Sequence, residues 1–380
     1  MKTSLEKPQT RILHTPGRFN SLYIHVPFCK NICDYCALYS VVNNDMSVRE
    51  KYLEKIECDL NQNKDQLNAL NTIFIGGGTP TQLKPSELSR LMNIIKQTNW
   101  TENIEFTVEC NPGTVDKEKF EILKAAGVNR LSFGAQSTTR KTRNTLGRRT
   151  SHKQLLDAID TARQCGFTNI NIDLIYGVPG QEMSDWEDDL DQAIKLNLPH
   201  YSAYSLILEE GTVISDKFDK VDDELAVEMY DKIEEKLQEA GLSRYEISNY
   251  SKPGKECLHN FDIWKGGTYL GLGPAACSFD GKQRWTQIRD LNKWLDNAAP
   301  EKEELTSNEQ LSEILAFGFR TVSGWKVSEL KNLYGVNTLE LFRSTFNDLQ
   351  NQQLIEITDS DVRPTSYGLL FADTIAEAFL

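Results

Sequence analysis

Three cysteines, Cys29, Cys33 and Cys36, fall within eight residues of the segment FCKNICDYCALYS (28–40). A C-x3-C-x2-C triplet admits three uses. Structural zinc takes four ligands, usually as two C-x2-C pairs, and no second pair exists in the chain. A redox pair would need only Cys33 and Cys36 and would leave Cys29 unexplained. An iron–sulfur cluster fits better, because three thiolates on one short loop hold three irons of a [4Fe–4S] cube and leave the fourth iron open to a ligand that is not protein. The other five cysteines (Cys58, Cys110, Cys165, Cys257, Cys277) are scattered singly and read as small core residues, with no disulfide framework.

An open iron is useful only if something chelates it. Elsewhere the chain supplies what an amino-acid-shaped ligand requires. The run GGGTP (76–80), with Gly77, Gly78 and Thr79, lets backbone groups approach closely. Arg148 can clamp a carboxylate, and Glu109, Gln136 and Asp173 offer acceptors for an ammonium group and ribose hydroxyls. That constellation matches S-adenosylmethionine.

The elements that must position these residues alternate. Short β-rich runs occur at 21–27, 72–76, 104–110, 130–134, 170–177 and 201–208, separated by segments whose apolar residues have helical spacing, such as Leu53, Ile56 and Leu60 or Leu155, Ile159 and Ala162. Pro85 suits a first helical turn, Asp116 and Ser151 suit N-caps, and Ser184 with Glu187 reads as a capping box. Strands alternating with helices imply parallel pairing through right-handed crossovers. The polar residues sit at or just past the C-terminal ends of successive strands, which is where a TIM-like barrel carries its chemistry, although a doubly wound sheet also uses its carboxyl edge. The expected fold is therefore α/β: a partial, open, roughly six-stranded barrel over 21–210, preceded by a lead-in (1–20). An extension at 211–296 begins with an acidic helix (222–241). The segment 297–310 reads as a linker, and 297–380 as a small winged-helix-like C-terminal domain.

The net charge of −13 gives no basic field for a polyanion, so nucleic acid is not an expected partner. A basic stretch, TRKTRNTLGRR (139–149), reads as a solvated loop, with a phosphate- or carboxylate-facing site as the alternative. No apolar run approaches a membrane span and the N-terminus lacks an apolar leader region, so the expected location is cytoplasmic.

The segments YIHVPFCKNICDYC, FIGGGTPT, VECNPG, RLSFGAQS, LGR, NIDLIYGVPGQ and YSAYSLILEEGT, in this order, resemble the radical S-adenosylmethionine proteins of the oxygen-independent coproporphyrinogen III oxidase family. The resemblance implies cluster ligation by Cys29, Cys33 and Cys36. It implies S-adenosylmethionine contacts from Tyr23, Gly77, Gly78, Thr79, Glu109, Gln136, Arg148 and Asp173. It also implies one-electron cleavage of the sulfonium to methionine and a deoxyadenosyl radical, and hence an external reductant. One departure is Thr150, which stands where family members commonly carry His in LGR-x-H.

Within the family, true oxidases carry a fourth cysteine two residues after the third and a longer N-terminal arm. Here that position is Leu38, and 28 residues precede Cys29, which favours the haem-chaperone branch although leucine is not its usual phenylalanine. HNFDIW (259–264) resembles that branch's H-N-x-x-Y-W motif, with Ile263 in place of the tyrosine. His259 then becomes the candidate axial haem ligand, with Cys257 as an alternative thiolate. GLGPAA (271–276) formally fits a dinucleotide fingerprint but lacks the following helix, and reads as a packing turn. The implied function is haem binding and transfer to an acceptor such as a respiratory-chain haem protein, with a homodimer as an open possibility. The alternatives are coproporphyrinogen III dehydrogenation or another radical tailoring activity, so whether the chain is an enzyme stays open.

Overall fold

The computed structural model describes residues 17–331, 333 and 335–380; the first sixteen residues of the expected lead-in lie outside these. Six parallel strands form the centre: β1 (Phe19–Val26), β2 (Leu67–Gly77), β3 (Trp100–Cys110), β4 (Arg130–Gln136), β5 (Asn169–Tyr176) and β6 (His200–Ser205). The crossovers carry α1 (Met46–Asn63), α2 (Pro85–Ile95), α3 (Lys117–Ala125), α4 (Arg140–Thr145), α5 (His152–Gln164) and α6 (Met183–Lys195). Alternation along each strand explains the two faces. Leu22, Ile24, Ile73, Ile75, Phe106, Val108, Leu131, Phe133, Ile170 and Ile172 are fully buried and pack with Leu53, Ile56, Leu88, Leu91, Phe120 and Ile159 of the helices. Between them come polar residues, among them Ser21, Tyr23, Thr72, Glu105, Glu109, Ser132, Asn171 and Asp173, on the opposite, inner face.

The helix starts follow local chemistry. Asp116 accepts from Lys119 N at 2.9 Å, Ser151 and Gln154 cap reciprocally, and Pro85 opens α2. The Ser184/Glu187 capping box is not formed. Helix α6 begins two residues earlier, with Glu182 and Asp185 as the pair, and Glu182 N donates to Asp185 Oδ2 at 3.0 Å. The early start lets Trp186 and Leu190 reach the core. The basic stretch is also not a loop throughout: residues 140–145 form α4, and Arg143 folds inward onto the Ser137 and Thr138 carbonyls.

The sheet continues beyond both edges of the six and does not close. Among the described residues, four further strands follow beside β1 and two beside β6. After β6 come α7 (Val213–Lys217), α8 (Asp223–Glu239), β7 (Ser243–Arg244), β8 (Asn249–Ser251) and α9 (Leu258–Trp264). Then β9 (Tyr269–Leu272) returns to lie parallel to β1, followed by the antiparallel β10 (Cys277–Phe279), β11 (Gln283–Thr286), α10 (Leu291–Leu295) and β12 (Glu301–Glu304). The stretch read as a linker thus holds the edge strand β12 and the start of α11 (Ser307–Gly318). The four exposed residues of β12, EKEE, carry no apolar alternation to announce a strand. Charge on an outer edge blocks further pairing and leaves no hydrophobic signature.

A second apolar core gathers Leu311, Ile314, Leu315, Phe319, Trp325, Phe346, Val362, Ile375 and Phe379 around a three-stranded sheet: β13 (Trp325–Lys326), β14 (Ile355–Ile357) and β15 (Asp361–Pro364). It meets the barrel through Val322 N to Tyr245 O at 3.0 Å and through Lys265, which donates to Gly324 O and lies 4.1 Å over the Trp325 ring. Among the described residues, no helix is long and apolar enough to cross a membrane.

Candidate cluster and cofactor site

Cys29, Cys33 and Cys36 share the loop between β1 and α1, and all three are free thiols. The loop is fixed at its base by Cys29 N to Val41 O at 3.0 Å and Val41 N to Pro27 O at 2.8 Å. Cys29 Sγ lies 3.4 Å from Thr79 Oγ1, and Arg148 Nη1 lies 3.6 Å from Cys33 Sγ. Burial raises the Cys29 and Cys36 thiols above their ordinary range. Among the described residues no group of three or more His, Cys, Asp or Glu side chains is arranged to hold a metal ion. Three sulfurs on one loop, one beside a guanidinium and one beside a hydroxyl, are the donor set that three corners of a polynuclear cluster would need.

The strand ends bring the other residues to this loop. Gly77 has φ +107, and a Cβ there would lie 2.7 Å from the His25 ring; at Gly78 it would meet the Pro27 carbonyl at 2.7 Å and Cys29 Sγ at 3.1 Å. Only glycine allows this close passage. Gly77 N donates to Glu109 Oε2 at 3.2 Å. Arg148 donates to Gly134 O, next to Gln136, where the register of β4 slips against β5 and Gln136 adopts φ +69. A non-glycine residue held in that region stores strain that the surrounding fold must support. Asp173 accepts from Asn171 Nδ2 at 2.8 Å, and Tyr23 OH lies 3.0 Å from His25 Nδ1.

Burial, and next the nearby Asp173 carboxylate, push Glu109 up to about 8, and burial also raises Asp173. Although the Arg130 charge pulls the other way, Glu109 is therefore mostly protonated near neutrality, and a bound ammonium would draw it into its charged form. Tyr204 on β6 has its hydroxyl raised far above the phenolic range, first by burial and next by the Asp173 carboxylate. Thr150 occupies the rim, donating to Asn111 Oδ1 at 2.8 Å, and Leu38 is 58% exposed at the outer edge of the cysteine loop.

His259 is not at this mouth. It is 2% exposed near the starts of the strands, stacked on Phe74 with ring centroids 5.2 Å apart. Its Nδ1 lies 2.7 Å from Thr72 Oγ1, which itself donates to Ser21 Oγ at 2.9 Å. Thr72 therefore accepts from Nδ1–H, and Nε2 keeps its lone pair. Burial, then the Arg130 charge, lower His259 to about 3. Cys257 points toward Glu105 Oε1 at 3.7 Å, and burial pushes its thiol up to about 12, so it is held neutral. GLGPAA forms the β9–β10 turn, with no helix after it.

Several contributors lack a motif-level signal. Tyr35 is enclosed between Arg148, Cys33, Cys36 and Asp173, and His25 joins Tyr23 to Tyr39 O at 2.7 Å. Glu105, Arg130 and His200 line the barrel's lower interior. A period-two reading of polar residues within strands, 21/23/25, 105/107/109 and 130/132, would have found most of them.

An open parallel barrel with three loop cysteines and these strand-end groups defines a radical S-adenosylmethionine protein, and the Radical SAM superfamily matches residues 23–193. The HemN C-terminal domain matches residues 305–371. The chain is 36% identical to the heme chaperone HemW of Bacillus subtilis (strain 168) over 375 residues, covering 95% of this chain and 99% of that one. To HemW of Lactococcus lactis it is 32% identical, covering 95% and 97%. The chain belongs to the HemW family. Its fold is that of coproporphyrinogen III oxidase (HemN) from Escherichia coli, with a TM-score of 0.85 at 20% identity over 96% of this chain and 91% of that one.

Proposed function

We propose that the chain is a cytoplasmic haem chaperone that holds a [4Fe–4S] cluster on Cys29, Cys33 and Cys36, binds S-adenosylmethionine beside it, and passes haem to an acceptor protein. The observation that carries this reading is 36% sequence identity to a named heme chaperone in a match that covers 99% of that relative's length. Leu38 supports it, since the loop offers no fourth thiol at the position that marks the decarboxylating oxidases.

The cluster, once bound with S-adenosylmethionine and reduced by an electron donor, supplies one-electron chemistry at the sulfonium. The chain's own groups do the positioning. Gly77, Gly78 and Thr79 present backbone and hydroxyl donors and acceptors, Glu109 takes the ammonium, Arg148 the carboxylate, and Gln136 and Asp173 the ribose, while Tyr23 closes the inner wall. His259, neutral and with Nε2 unprotonated, has the electronic form an iron ligand needs.

Anaerobic incubation of the reconstituted protein with haem, and separately with coproporphyrinogen III and a reductant, tests the reading. The expected result is a haem absorption band that moves to an added apo-haem protein, and no protoporphyrinogen. Absence of haem uptake, or decarboxylated product, would overturn it.

A further inference from the structure

Burial disfavours the Arg130 guanidinium in the lower barrel interior, yet the nearby Cys257, Glu105, Tyr245 and Asp173 outweigh it and hold the group charged, without any of them bonding to it. Arg130 is 2% exposed, its Nε is fully enclosed with no hydrogen-bond partner, and among the described residues its side chain makes no hydrogen bond or close ion pair. Its row of the sheet is unsatisfied on both sides. Thr107, paired with Arg130 on β3, and Asn169, paired with it on β5, each bury a side-chain oxygen without a partner. Buried polar groups are nearly always bonded, so the two adjacent donors among these, Arg130 Nε–H and the Thr107 hydroxyl, point to an acceptor from outside the chain. A desolvated guanidinium with no acceptor is especially costly.

The obvious carboxylate is already committed. Glu105 accepts from Leu258 N and His259 N, both at 3.0 Å, and from Cys257 Sγ, so it serves as the anchor of α9. The other groups within electrostatic reach of Arg130 are Cys257, Tyr245, Asp173, Glu109, His200 and His259. The thiol, the phenol and both imidazoles are neutral, and Glu109 and Asp173 are biased toward their protonated forms.

We propose that Arg130 receives a carboxylate of the ligand bound in the barrel and, on the haem reading above, a haem propionate. The fork of a guanidinium matches a carboxylate with two parallel hydrogen bonds. Thr107 and Asn169 flank the same row, and His259 stands on the neighbouring strand's side with Nε2 free. Iron and propionate would then be read by two groups on one floor.

The test rests on the ligand as well as the protein. Cluster-loaded full-length protein is titrated with haem and with haem dimethyl ester, whose propionates cannot ionise, following the haem absorption band. The wild type is expected to bind haem about tenfold or more tightly than the diester, the worth of one charge-assisted pair. In Arg130→Gln that preference should collapse while S-adenosylmethionine affinity stays put, and Arg130→Lys should keep part of it. Equal affinity of the wild type for both ligands overturns the proposal even if no variant folds. So does a preference that survives in Arg130→Gln, or a parallel loss of S-adenosylmethionine binding, which would give Arg130 to that ligand's carboxylate. Failure of the wild type to bind either porphyrin removes the haem reading itself, and the propionate assignment falls with it.

Discussion

The two ends of the barrel interior are built on opposite principles. At the mouth, Tyr23, Glu109, Gln136 and Asp173 are half-buried on the strands, near the closely packed Gly77 and Gly78 and the cysteine loop. At the floor, Glu105, Arg130, His200 and His259 are buried among the strands and α9. His200 is typical of the floor, with Nδ1 2.7 Å from Asn171 Oδ1 and Nε2 2.9 Å from Tyr245 OH, so neither ring nitrogen is free. The mouth suits cofactors that come and go. The floor is a wall whose few unfilled valences, on Arg130 and His259, are all the more conspicuous.

The largest effect should separate the ends completely. Replacing Cys29, Cys33 and Cys36 by alanine is expected to abolish the visible absorbance of the reconstituted cluster, while Glu105→Ala leaves it intact. Residual absorbance in the cysteine variant would move the cluster to one of the scattered thiols. Haem uptake surviving in that variant would mean that mouth and floor bind independently.

Next in size is the floor's own stability. Glu105→Ala strands the Leu258 and His259 amides and removes a carboxyl group from the surroundings of Arg130. The expected cost is about 3 kcal/mol in denaturant unfolding. The mouth counterpart, Thr150→Ala, removes a single rim hydrogen bond and should cost about 1 kcal/mol or less. Comparable losses from the two would erase the distinction between a structural floor and an adaptable mouth.

That contrast also explains which features were legible in the sequence. The cysteine triplet, the glycine run and the six β-rich runs are local patterns, and each stands in the structure near where periodicity puts it. Strand β2, for example, extends the run 72–76 to Leu67–Gly77. Residues of the floor come together only through topology: Glu105 meets Cys257 and His259 across more than 150 positions of chain, and no spacing rule encodes that. The parallel return of β9 beside β1 is equally non-local, as its four residues YLGL resemble any short apolar run. Edge strand β12 hid for the opposite reason, having no apolar face to show.

The ends should respond to pH with opposite signs in the cluster-free protein. Glu109 is raised from 4.5 in the unfolded chain to about 8, so its contribution is complete below 4.5 and is lost as pH climbs through 8. His259 is lowered from 6.5 to about 3, so its contribution is complete above 6.5 and is lost as pH falls toward 3. Urea midpoints measured across this range should show Glu109→Gln flattening the alkaline side and His259→Gln flattening part of the acid side, each by on the order of a few kcal/mol at most. His25, lowered to about 4 by burial, and His200 remain to support the acid limb. Added S-adenosylmethionine should bind more tightly as pH rises toward 8, because its ammonium favours ionised Glu109. Affinity that is flat with pH would detach Glu109 from that role.

The smallest expected effect tests whether the mouth is as self-contained as the comparison suggests. The cysteine loop is held from outside by the segment after β11: Arg289 Nη2 donates to Ala37 O at 2.9 Å, and Leu291 N donates to Tyr39 OH at 2.5 Å. These contacts flank the exposed Leu38 and lie beyond the three cysteines, so they limit how far the loop can swing away from the barrel. One exposed hydrogen bond contributes little to global stability, and Arg289→Ala should shift unfolding by less than about 1 kcal/mol. Local opening is governed by fewer contacts than global unfolding, so the same variant should lose its reconstituted cluster in air several-fold faster than the wild type. An unchanged bleaching rate would mean that the base of the loop, Cys29 N to Val41 O and Val41 N to Pro27 O, sets its mobility alone, and that the added strands beyond β9 serve the floor rather than the mouth.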